Sequence, residues 1–425
     1  RHYCGSPVCA PSRTVLMTGR NPGRSTARDN GDVGDREQFP LPTGITTLPA
    51  TLKSAGYATA AFGKWGMGGF DSTGSPLKQG FDRFLGVTSQ WVAHSHYPPF
   101  IQDNGVKIPL DNGPDGVPGH GVFPADADPQ DPKAYAPFIG KDFLSERTIK
   151  GAEAFIAAHK SKPFFLYYAS PLPHVALQVP AEELTQYEGV IKEDAPYAPQ
   201  KGGYSPNRTP RTTYAAMISR LDKEVGRILA ALEQAGVADN TIIVFTGDNG
   251  ATHDAGGADT KYFNSAGGLK GLKGSLHEGG VREPTVVRWP SGIKAGTRSN
   301  RISGFEDWLF TFSELAGVKL ERTADIASES LVPTFKGTDA PRTAPLYREF
   351  PSYGSQQAIW DGKWKAIRTD MTKAVKAKEP IVTQLYDLDA DPNETTNLAA
   401  KFPEVVKELE AKMTAARVPN LEFPL

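Results

Sequence analysis

Three uninterrupted apolar runs, each ending in a polar residue, restrict the fold of this chain more than any other feature. They cover residues 57–62, 163–169 and 241–246, and they run respectively into Gly63-Lys64, Ser170-Pro171-Leu172-Pro173-His174 and Gly247-Asp248-Asn249-Gly250. Runs without polar alternation belong to strands buried on both faces. Between them lie segments with helical spacing. One covers residues 47–55, with Thr47 as cap and Gly56 as stop; the others cover 143–159 and about 212–234. This alternation predicts an α/β fold: a large, mostly parallel central sheet sandwiched by helices. The carboxyl ends of such strands share one crevice, so Lys64, His174, Asp248 and Asn249 are expected to meet there.

The glycine-rich segment 271–282 precedes a further strand, 284–289, and carries Lys273 toward the same crevice. Past a helix at about 306–315 the composition changes. Residues 358–367 read as a hairpin turning at Asp361-Gly362, and an acidic turn at 389–394 leads to a closing amphipathic helix, 403–415. The expected organisation is a large α/β unit over residues 1–325. A small C-terminal unit, 326–425, adds an antiparallel sheet and one helix.

Near the start, Cys9-Ala10-Pro11-Ser12-Arg13 leads to Met17-Thr18-Gly19-Arg20. Pro11 suits a first helical turn and Gly19 the position just past a helix end. Cys9 therefore falls at a helix N-terminus, where free amides and the dipole favour negative charge. Arg13, one turn on, adds a planar cation suited to sulfate or phosphate oxygens. The two cysteines, Cys4 and Cys9, are too few for a disulfide framework, and Cys4 reads as a packing residue.

Of the 425 residues, 39% are hydrophobic and 22% charged, and no apolar run is long enough for a membrane span. A net charge of −1 argues against a nucleic-acid partner. The stretch 67–137, rich in Gly and Pro, contains His94, His96 and His120 and reads as pocket lining. The chain opens on Arg1-His2-Tyr3 without an initiator Met or a signal segment, and the expectation is a trimmed or partial start.

The Cys9 to Arg20 stretch resembles the signature of the formylglycine-dependent sulfatases, of the alkaline-phosphatase-like superfamily. Gly63-Lys64-Trp65, Pro173-His174, Asp248-Asn249-Gly250, the Lys273 segment and residues 385–398 resemble further motifs of that family, in its order. The resemblance implies a sulfuric ester hydrolase of arylsulfatase type, acting on an organic and in expectation carbohydrate sulfate. It implies that Cys9 becomes 3-oxoalanine (formylglycine) through a formylglycine-generating enzyme, and that its hydrate attacks sulfur. Arg13 would then orient the diol, Lys64 and Lys273 contact the sulfate, and His174 protonate the leaving oxygen. Asp248 and Asn249, together with Cys9, would face one Ca2+ ion. The implied location is periplasmic or extracellular.

Two departures follow from the same resemblance. Family members carry an Asp pair on a first strand ahead of the Cys, and no Asp-Asp dipeptide occurs here, so that strand and half of the metal site are absent from this sequence. Many members also carry a His two residues after the Lys, where this chain has Gly66; His94 is expected to take over as base, with His96 second. Trp91, Tyr97, Phe100 and Tyr353 are candidates for a sugar-stacking surface. The alternatives are a phosphodiesterase or phosphonate monoester hydrolase of the same superfamily, and a non-catalytic binder of sulfated glycans.

Overall fold

The structure is a computed structural model and describes residues 1–34 and 37–425. Its main sheet has five strands. Ala58–Lys64 runs parallel to Arg83–Val87 on one side and to Phe164–Ala169 on the other. The hairpin Phe100–Asp103 and Val106–Pro109, inside the stretch expected to be pocket lining, extends the Arg83–Val87 edge in antiparallel fashion.

The apolar run at 58–64 is explained by burial on both faces. Ala60 and Phe62 pack with Ala152 and Phe155 of the helix Leu144–His159. Ala61 points the other way and joins Met17 of the helix Cys9–Thr18, with Trp65, Phe81 and Phe84. Adjacent residues on a strand face opposite sides, so both sides must be apolar. Gly63 sits where a β-carbon would collide with the carbonyl of Ala169. The lack of a side chain lets the two strand ends close up just before Lys64.

The run at 241–246 forms the strand Ile243–Thr246, but it pairs antiparallel with Thr285–Arg288 rather than joining the parallel strands. A cleft of about 1760 Å³ lies between this ribbon and Phe164–Ala169, lined by Tyr168, Leu221, Val225, Ile228, Val244 and Val287 among others. Among the described residues, Phe164–Ala169 pairs only with Ala58–Lys64, which leaves its other edge facing the cleft. Its residues 164–168 are accordingly half-buried, while residues 59–64 are fully buried.

The C-terminal sheet runs in the order Leu346–Phe350, Gln356–Asp361, Trp364–Arg368, Gln384–Asp387, antiparallel throughout. Asp361 pairs with Trp364 across the turn at Gly362, whose φ is +57°. Ile359 and Leu385 face the closing helix Pro403–Ala416. Ala358 and Trp360 face a core shared with Tyr3, Cys4, Val15 and Trp308, and this gives Cys4 its packing role. The short helix Met371–Ala377, between the last two strands, has no counterpart in the sequence-based expectation.

Candidate active site

Cys9 is the first residue of the helix Cys9–Thr18, and Gly19 ends it at φ +62° with its amide donating to the Val15 carbonyl at 2.9 Å. The helix amides contribute less to anion binding than the position suggested. The amide of Ala10 already donates to Asn30 Oδ1 at 2.8 Å, and Pro11 has none. Side chains supply the charge instead. Cys9 Sγ, 2% exposed by residue, has Asn249 Oδ1 at 3.4 Å, Lys64 Nζ at 3.6 Å and Lys273 Nζ at 3.7 Å.

Lys64 is the last residue of its strand and is almost fully buried. Burial pulls its ammonium down to about 8; Cys9 opposes that shift, while Arg13 and Lys273 reinforce it. Arg13 does not present its fork to the crevice. Its Nε and Nη2 both meet Asp248 Oδ2, at 2.8 and 2.7 Å, and Nη1 donates to the Lys64 carbonyl. Burial alone would raise the Asp248 carboxyl, but Arg13, then Lys64 and Lys273, hold it below the usual carboxylate range. Three cations against one paired carboxylate leave the pocket net positive, as a tetrahedral anion requires.

His174 donates through Nδ1 to the Val175 carbonyl, and its Nε2 lies 2.8 Å from Lys273 Nζ. Burial, then Lys273, Lys64 and His94, keeps its imidazole neutral well below the ordinary range. His94 stands one ring further back. It lies face to face with His174, at a centroid distance of 4.8 Å and an angle of 6°, and its Nδ1 is 2.8 Å from His120 Nε2. His96 is fully buried, with Nε2 on the His174 carbonyl at 2.8 Å. Thus Cys9, Arg13, Lys64, His174, Asp248, Asn249 and Lys273 come together around one sulfur, and His94 lies behind His174 against its ring.

Gly66 has φ +77°, and a β-carbon there would lie 2.6 Å from Gln90 Nε2. Gln90 thus fills the space a side chain at 66 would take, and both polar atoms of its buried amide are without a hydrogen bond among the described residues. No sequence signal marks Gln90. Glu283 is likewise unforeseen: its Oε1 has no partner among the described residues, and burial followed by the nearby Asp248 pushes its carboxyl up to about 8. The four aromatics do not form one surface. Tyr97 is buried against Phe143, Phe100 sits under Lys107 on the outer hairpin, and only Trp91 and Tyr353 are exposed.

Asp248 and Asn249 offer hard oxygens, the donor type Ca2+ prefers, but such an ion takes six to eight oxygen ligands. Among the described residues, no three His, Cys, Asp or Glu side chains converge in a metal-binding group. The pair therefore fits as one part of a calcium site.

A sulfatase family model matches residues 1–318, and a model described as N-sulphoglucosamine sulphohydrolase, C-terminal, matches 272–419. The chain is 30% identical over 436 residues to arylsulfatase A of Bos taurus, covering 96% of this chain and 77% of that protein. It is 28% identical over 463 residues to N-acetylgalactosamine-6-O-sulfatase of Bacteroides thetaiotaomicron, covering 98% and 85%. Among solved structures, Ps i-CgsB in complex with k-i-k-neocarrahexaose superposes with a TM-score of 0.75 at 24% identity, covering 98% of this chain and 84% of that one.

Proposed function

The chain belongs to the sulfatase family and is a sulfuric ester hydrolase, and from that premise we propose that it releases sulfate from a carbohydrate ester in the crevice around Cys9. The observation that carries this reading is the approach of Asn249, Lys64 and Lys273 to the Cys9 sulfur, at 3.4, 3.6 and 3.7 Å. The carbohydrate part rests on likeness to a relative named as an N-acetylgalactosamine-6-O-sulfatase.

In this reading Cys9, oxidised to 3-oxoalanine by a formylglycine-generating enzyme and hydrated, supplies the attacking oxygen. Lys64 and Lys273 hold the sulfate oxygens and stabilise charge that grows during transfer. Asp248 and Asn249 would hold Ca2+, which when bound adds electrostatic pull on those same oxygens. Arg13 positions Asp248 and the end of the Lys64 strand. His174, with Nδ1 committed to a carbonyl, shares a proton between Nε2 and Lys273 and passes it to the departing alcohol oxygen. Loss of a proton from the second diol hydroxyl then expels sulfate and restores the aldehyde. His94, expected for the role left open at Gly66, stacks behind His174 and supports that ring rather than meeting the diol itself.

Residues 1–325 hold all of these groups, and 326–425 form the small unit beside them. The reading carries with it export to the periplasm or outside the cell. Among the described residues no helix is long and apolar enough to cross a membrane. Mass spectrometry of the Cys9 peptide, alongside paired turnover of sulfate and phosphate esters, tests the proposal. An aldehyde at Cys9 with preferential sulfate release is expected, whereas an unmodified thiol in protein from its native host, or faster phosphate release, refutes it.

A further inference from the structure

On the C-terminal sheet, against the glycine-rich segment that carries Lys273, one exposed residue is held in an unfavourable backbone conformation. Between Leu346–Phe350 and Gln356–Asp361 the chain turns through Tyr353, Gly354 and Ser355 at φ of +51°, +91° and +59°. Side chains other than glycine rarely adopt this region. The turn is nevertheless fully determined. Ser355 Oγ donates to the Pro351 carbonyl at 2.8 Å and lies 2.9 Å from Thr372 Oγ1, while the Thr372 amide donates to the Gly354 carbonyl at 2.9 Å.

What this rigid turn presents is the ring of Tyr353, which is 65% exposed. Strain kept for the sake of an exposed aromatic points to function rather than packing. The ring rests on Gly274, the residue after Lys273, and a β-carbon at Gly274 would collide with it. Its edge meets Phe350 at 90° and 5.4 Å, fixing its tilt. Tyr204 lies in the same neighbourhood: burial, then Cys9 and Tyr353, push its phenol up to about 12. The rings of His120 and His94 lie against Tyr204, at 4.5 and 5.6 Å.

We propose that Tyr353 is a specificity-determining residue whose ring, resting on Gly274 next to Lys273 in the chain, stacks on the pyranose ring of the substrate alcohol while the sulfate sits at Lys64 and Lys273. A rigid ring gains contact with an aromatic face at little entropic cost, whereas a flexible alkyl chain must be ordered first. The enzyme therefore discriminates in favour of sulfate esters carried on a ring. This rests on the sulfatase reading above.

The test compares a monosulfated hexopyranoside with an acyclic alkyl sulfate on the full chain carrying modified Cys9. Y353A is expected to lower the pyranoside-to-alkyl ratio of kcat/KM by about tenfold, mainly through the pyranoside KM, and Y353F is expected to keep the ratio. An unchanged ratio in Y353A, or an equal loss on both esters, overturns the assignment. Wild-type protein that cleaves neither ester overturns the sulfatase reading, and this one with it.

Discussion

Replacing Arg13 by Lys isolates what its guanidinium does. The side chain makes two contacts to Asp248 Oδ2, at 2.8 and 2.7 Å, and a third to the Lys64 carbonyl. A lysine keeps the charge but offers a single point of attachment. The substitution thus removes one charge-assisted bond, about 1.5–3 kcal/mol, and one bond to a neutral carbonyl, about 0.5–1.5 kcal/mol. Asp248 keeps 27% of its side-chain surface, so water recovers part of the loss and the lower end of the summed range applies. The expected destabilisation is about 2 kcal/mol, a fall of roughly 0.5 M in the urea midpoint because the denaturant slope grows with chain length. None of the three contacts reaches the space above Cys9 where sulfate would sit. The loss of activity should therefore appear in kcat, through a displaced Asp248 and Lys64, with KM nearly constant. Urea denaturation and initial rates of sulfate release measure the two effects. A raised KM with kcat intact would mean that Arg13 binds sulfate directly, and the positioning argument would be wrong.

Three further outcomes follow from the site. Cys9→Ser should form a sulfated serine and then stop, because a simple ester has no second hydroxyl to expel sulfate; intact-mass analysis after substrate addition reads the adduct, and sustained turnover would refute the diol exit. Burial sets the Lys64 ammonium near pH 8, so anion binding is present below that pH and lost above it. A pH profile of kcat/KM should fall as pH rises through about 8, and Lys64→Arg, whose guanidinium stays charged, should move that limb upward. Gly66→Ala places a β-carbon at φ +77° and 2.6 Å from Gln90 Nε2, and should cost about 1–2 kcal/mol for the left-handed backbone plus whatever Gln90 must yield. Thermal melting checks this, and an unchanged midpoint would show that Gln90 moves aside freely.

Local chemistry alone accounts for much of what was legible. Pro11 and Gly19 bracket the helix Cys9–Thr18 because one lacks an amide that the first turn does not need and the other accepts a positive φ. The apolar run around Ala60 to Phe62 announces a strand with both faces covered, since period-two alternation leaves no side for water. The end of that strand delivers Lys64 and the loop after 169 delivers His174, because parallel strand ends in one sheet share a rim, while Asp248 arrives from the separate ribbon after 246. Those readings need only neighbours a few residues apart.

Partnership across the chain was decided by the tertiary structure. Whether Ile243–Thr246 ran parallel or antiparallel depended on which edge came within hydrogen-bonding distance, and the pairing with Thr285–Arg288 lies some forty residues away in sequence. Arg13 looked like a sulfate ligand, yet packing delivered Asp248 to it first, and two donors of the guanidinium share one oxygen of that carboxylate. His94 met His174 and His120 rather than Cys9, and Gln90 entered the space beside Gly66. Sequence determined which residues could do chemistry and where each element would start and stop, because backbone sterics and capping act locally. Only the folded chain decided which of those groups touch, because contact energies fall off within a few ångströms and are set by segments that sequence distance does not order.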